Sequence, residues 1–195
     1  MINKIASHIA VAATILATSI SGAHAYTTYS GIDQDQSVFT NSEAAQTSFL
    51  GSLIGVGTEN FEGIALGTSA PIALTFPGAG TATLSGAAEV LNIGETCCGR
   101  HAHSGGQFIQ TESTNFTVGF SAPVAAFGFF GSDIGEFGGD LWLELTKIGG
   151  DLIQIDVPDV HLLDFVDASN LFFGLIASNA DEQFTNARFY DAVSG

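Results

Sequence analysis

The segment "GSDIGEFGGD" (Gly131–Asp140) places Asp133, Glu136 and Asp140 within eight residues, interleaved with Gly131, Gly135, Gly138 and Gly139. A hard cation such as calcium takes several oxygen ligands from a bendable loop, and carboxylates with free backbone carbonyls supply them. The spacing is not that of an EF-hand, and no D-x-D-x-D-G run occurs in the chain. Asp133, Glu136 and Asp140 are therefore candidate ligands of a structural calcium. A solvated hairpin loop, with glycines supplying positive φ, is the competing reading.

The stretch "ETCCGRHAHSGG" (Glu95–Gly106) is chemically the most reactive. Thiolate and imidazole suit zinc or copper, and Cys97, Cys98, His101 and His103 supply both. The cysteines are adjacent, however, and do not turn easily to one ion. A polar loop is the simpler expectation, with Cys97 and Cys98 joined in a strained disulfide or paired with a neighbour. The third candidate is Trp142, the one tryptophan. In "LWLEL" alternation places Trp142 with Glu144, opposite Leu141, Leu143 and Leu145. If the leucines face a core, Trp142 lies outside, as an aromatic surface on which a sugar ring or a partner stacks. The competing reading is that the N-terminal helix or a terminal segment covers it. Catalytic signatures are lacking: the chain holds no G-x-S-x-G and no H-E-x-x-H. With 20 acidic residues, carboxylate pairs within reach of each other are expected by chance and do not single out a glycosidase.

The elements that would position these residues begin after a leader. Residues 1–25 read as a signal peptide: Lys4, an apolar run from Ile9 to Ile20, and Ala23-His24-Ala25 as a cleavage site. Cleavage there leaves a mature chain of 170 of the 195 residues, starting at Tyr26 and holding no segment apolar enough to span a membrane. That length suits one domain that buries about two-thirds of its unfolded surface. Arg100, Lys147 and Arg188 then stand against 20 acidic residues, a net charge of about −17. Such a chain is repelled by phosphate backbones, which excludes nucleic acid as a partner. A hydrophobic fraction of 46% with 16 phenylalanines argues for a real core rather than disorder.

From Tyr26 to Thr40 the chain reads as polar and irregular. A short helix follows near residues 42–54, capped by Asn41 or Ser42, with Ala45, Phe49 and Leu53 on one face and Gly55 ending it. Thereafter short apolar runs bounded by Gly, Pro, Asn or Asp read as strands: "PIALTF", "TATLS", "GQFIQT", "NFTVGFSAP", "VAAFGFFG", "DLWLELT", "DLIQID", "LFFGLIAS" and "FTNARFYDA". The polar break after "GQFIQT" could turn one hairpin, and the acidic loop after "VAAFGFFG" another. The expected fold is mainly β: one antiparallel β-sandwich with a short N-terminal helix.

Three phrases together resemble the exported Gram-negative bacterial proteins that carry a PEP-CTERM sorting tail: "TENFEG" (Thr58–Gly63), "FTVGFSAPVAAFGFFGSDIGEFGGDLWLELT" (Phe116–Thr146) and "LFFGLIASNADEQFTNARFYD" (Leu171–Asp191). The resemblance implies a jelly-roll-like sandwich over residues 26–195, similar to lectin and carbohydrate-binding modules, on a protein sent to the outer surface or the matrix. It also implies a calcium role for an acid of "TENFEG", Glu62 or Glu59, partnered by one near the last strand such as Asp191; two exposed carboxylates at a strand entry are the competing reading. The tail itself is missing, since the sequence stops at "YDAVSG" without the further strand, the Pro-Glu-Pro motif or the anchor. Function is accordingly expected to be non-enzymatic: adhesion, matrix association or binding of extracellular polysaccharide. A small secreted hydrolase and a self-associating matrix component are the alternatives.

Overall fold

The computed structural model describes residues 25–35, 37–77, 79–92, 99–111, 116–132, 140–158 and 169–192, without the side chains of residues 140, 191 and 192. The described chain is mainly β, with antiparallel sheets and one short α-helix. Its strands are β1 (Tyr26–Asp33), β2 (Ile72–Phe76), β3 (Gly80–Ser85), β4 (Ala88–Asn92), β5 (Gln107–Thr111) and β6 (Phe116–Val124). They continue as β7 (Ala126–Ser132), β8 (Asp140–Lys147), β9 (Leu152–Asp156), β10 (Asn170–Ala177) and β11 (Phe184–Ala192), with helix α1 at Thr40–Leu50.

One layer is a six-stranded sheet in the order β2-β3-β6-β11-β8-β9. Its register lines up an apolar row with one residue from each strand: Ile72, Leu84, Val118, Ala187, Leu145 and Ile153. Because side chains alternate across a strand, the intervening residues form the opposite face. The second layer lies over the apolar face in two pieces. The three-stranded sheet β1-β10-β7 packs Leu171, Phe173 and Leu175 against Leu143, Leu145 and Phe184. The two-stranded sheet β4-β5 packs Val90 and Ile109 against Leu74, Leu84 and Val118. Leu143, Leu145, Leu175, Phe184 and Val90 have no exposed surface.

Helix α1 covers the far side of the three-stranded sheet. Phe49 is buried against Gly128 and Gly174, which are partners in register, and its ring meets Tyr29 and Phe172. A Cβ on Gly174 would stand 2.7 Å from the Phe49 ring, so the close approach requires glycine there.

The structure corrects several expectations. Tyr26–Asp33 is a strand, not irregular chain: its Thr and Tyr residues favour extended backbone, and eight successive residues pair with β10. The helix spans Thr40–Leu50 rather than 42–54; beyond Gly51 the backbone tightens into i→i+3 bonds, Ser52 N–H to Phe49 O and Leu53 N–H to Leu50 O. Neither Asn41 nor Ser42 caps it. The cap comes from Asp33 at the end of β1, whose carboxylate accepts from the Asn41 and Ser42 backbone N–H groups at 2.9–3.1 Å and from Ser42 Oγ at 2.8 Å. The two expected hairpins are not formed. β5 pairs with β4 and β6 pairs with β3 and β11; β7 pairs with β10, while β8 pairs with β11 and β9. β5 and β6 therefore belong to different layers, as do β7 and β8.

Candidate functional site

The polar face of the six-stranded sheet collects the side chains best suited to contact another molecule. On β8 the inward positions Leu143 and Leu145 are completely buried, so Trp142 and Glu144 point away from the core. Across β11, Tyr190 is the register partner of Trp142 and Arg188 that of Glu144; on β9, Asp156 lies opposite Trp142 and Gln154 opposite Glu144. The Arg188 guanidinium sits 5.6 Å from the centre of the Tyr190 ring and 3.5 Å from Glu144 Oε1, while Gln154 Nε2 donates to Glu144 Oε2 at 3.4 Å. Burial, and after it the Glu144 carboxylate, push the Tyr190 phenol above its usual value against the opposing pull of Arg188.

Two aromatic side chains that are register partners, a guanidinium, a carboxylate and an amide thus share one face of the sheet. Beyond them the same face continues as the exposed residues Ala73, Thr75, Thr81 and Thr83 on β2 and β3. Trp142 is half-buried rather than fully exposed, and its indole Nε1 is out of solvent without a hydrogen-bond partner among the described residues. One ring face of such a residue is an apolar platform, and the groups around it are hydrogen-bonding partners. Sequence reasoning found Trp142 but missed Tyr190 and Arg188. The signal was present, since "ARFYD" alternates in the same way and puts residues 188 and 190 on one face.

The other candidates divide into engaged residues and residues outside the described structure. Glu62 Oε1 accepts from the Gly106 and Gln107 backbone N–H groups, both at 2.7 Å, and these bonds hold the carboxyl below the usual range. Glu62 therefore ties the "TENFEG" loop to the start of β5. Gly105, at φ +70°, leaves room for its carboxylate. Glu59 is engaged in the same loop, accepting from Phe61 N–H at 2.7 Å. His101 and His103 are held by the scaffold: His101 Nε2 faces Asn170 Oδ1 at 2.5 Å and its Nδ1 faces Gly99 O at 2.9 Å, while the His103 ring stacks on Phe130 at 3.4 Å. Burial, with the charge of Glu43 opposing it and His101 adding to it, lowers the His103 pKa.

Cys97, Cys98, Asp133 and Glu136 lie outside the described residues, as do the side chains of Asp140 and Asp191. Among the described residues no group of three or more His, Cys, Asp or Glu side chains is placed to hold a metal ion. Nor, among them, is any helix long and apolar enough to cross a membrane. No protein family, no curated protein and no solved structure matches this chain.

Proposed function

We propose that this is an exported, non-enzymatic β-sandwich of jelly-roll-like form that binds extracellular polysaccharide or matrix through the polar face of its six-stranded sheet. The observation that carries this reading is the cross-strand pair Trp142–Tyr190, pointing away from the core beside Arg188, Glu144 and Gln154. A sugar ring offers a C–H face to the aromatic rings and hydroxyls to the surrounding polar groups. Large aromatic side chains that do not serve the core are what such recognition requires. The leader-like segment at residues 1–25 supports export, and the strongly acidic composition suits a sticky β protein that must stay soluble outside the cell.

A glycan array probed with the native chain and with Trp142→Ala tests this. Retention on a defined set of glycans, lost in the variant while its melting temperature stays within a few degrees, is the expected result. Equal binding by both proteins would remove the face from consideration. Turnover of a retained polysaccharide would favour the hydrolase reading, and no retention together with concentration-dependent assembly would favour the self-associating one.

A further inference from the structure

The second layer is interrupted. Among the described strands β7 pairs with β10 alone and β5 with β4 alone, so each has one edge without a strand partner. Both strands line the same cavity of about 700 Å³, whose wall includes every residue of Gln107–Thr111 and of Ala126–Ser132. Its floor is the apolar face of the six-stranded sheet, with Leu84, Phe116, Val118, Phe120 and Phe189. Three strands on one side and two on the other thus stand over a layer of six. The apolar side chains beside the gap remain partly open: Phe127, Phe129 and Phe130 of β7 and Phe108 and Ile109 of β5 are all half-buried. Two polar atoms on the same wall, Nδ1 of His103 and Oε1 of Gln107, are buried without a partner among the described residues.

Unpaired strand edges carry rows of N–H and C=O groups and invite an added strand. A small apolar molecule would cover the phenylalanines but leave both rows of backbone groups unpaired. An extended peptide satisfies both rows and sends every second side chain to the floor. We infer that the cleft between β5 and β7 is a strand-acceptor site. Its occupant is an extended peptide with apolar residues at alternate positions and cationic flanks that reach past the cleft wall, where Glu59 and Arg100 balance each other, into the field of a chain of net charge −16. The added strand would complete a second layer of six.

The probe is a capped nonapeptide, acetyl-Lys-Thr-Val-Thr-Val-Thr-Val-Thr-Lys-amide, titrated into the full chain by calorimetry. In an extended strand the N–H groups of the valines all face one neighbour and those of the threonines the other. N-methylation of the valines therefore blocks one edge and N-methylation of the threonines blocks the other. Insertion predicts one peptide per chain, binding at least about tenfold weaker for either methylated series, and slowed hydrogen exchange in residues 107–111 and 126–132 together. Loss in one series only means that a single edge is used and overturns the proposal. So does equal binding by all three peptides, which would mark a plain apolar cavity, and so does the absence of binding.

Discussion

Strands β7 and β10 are written in nearly the same residues, "AFGFFGS" and "NLFFGLIA", and they are hydrogen-bonded to each other with Gly128 opposite Gly174. Their surroundings differ completely. Six successive residues of β10 are buried, whereas every residue of β7 is half-buried. β10 has β1 on one side and β7 on the other, with helix α1 above it and the six-stranded sheet below. β7 has the same sheet below it, but from α1 only the Phe49 ring reaches it, at Gly128, and among the described strands it has a neighbour on one edge only. The comparison teaches that aromatic-glycine composition specifies a strand that can be buried on both faces, while its neighbours, at the sheet edge and in the layer above, decide whether it is. An apolar strand left at an open edge is either a liability or a site.

The largest effect expected from this comparison is at Gly174. Its substitution by alanine drives a Cβ to 2.7 Å from a buried ring clamped between two paired strands, and should cost about 3 kcal/mol in urea unfolding. Next comes Asp33→Ala, which removes the acceptor for the first turn of α1 and should cost about 2 kcal/mol. Burial alone would raise the Asp33 pKa, but the hydrogen bonds from Ser42 and Asn41 hold it below the usual range. Its contribution is therefore complete above the unfolded value of about 4 and is lost as pH falls through the lower folded value, so the variant should show a shallower acid loss of stability than the native chain. A smaller effect is expected for Gly128→Ala, about 1 kcal/mol, because the ring contacts there begin at 3.0 Å and an open-edged strand can shift. Equal costs at residues 128 and 174 would break the comparison. With no mutation at all, native-state hydrogen exchange should find β10 more protected than β7, and uniform protection would show the edge to be closed.

Much of this organisation was legible in the sequence, and the parts that were not share one cause. Nine strand runs and the opposed faces of "LWLELT" follow from local alternation and from Gly and Pro punctuation, which are properties of a few consecutive residues. β1 was missed because "YTTYSGID" has little apolar character of its own and owes its order to eight pairings with β10, far away in sequence. β4, "AEVLN", is short, and Val90 becomes a buried anchor only through contact with β2 and β3. The helix cap was misread for the same reason: Asn41 and Ser42 are capping residue types, but the oxygen that serves the helix belongs to Asp33, eight residues back at the end of a strand. The loop after β7 looked like a hairpin because alternation reports that two strands exist and not which layer each one joins. At the candidate site the same limit separates Trp142, visible in one strand, from Tyr190, which becomes its partner only through the pairing of β8 with β11.

Because the chain has one tryptophan, indole emission reports on the proposed binding face without ambiguity. The most direct measurement is a titration of the native chain with the soluble polysaccharide that it retains best, followed by emission wavelength and by quenching with neutral acrylamide. Binding on the face of Trp142 and Tyr190 predicts a saturable blue shift and a matching loss of quencher access, because a sugar ring would displace water from a half-buried indole. Saturable polysaccharide binding with an unchanged emission spectrum and unchanged quenching would place the contact elsewhere and contradict the account.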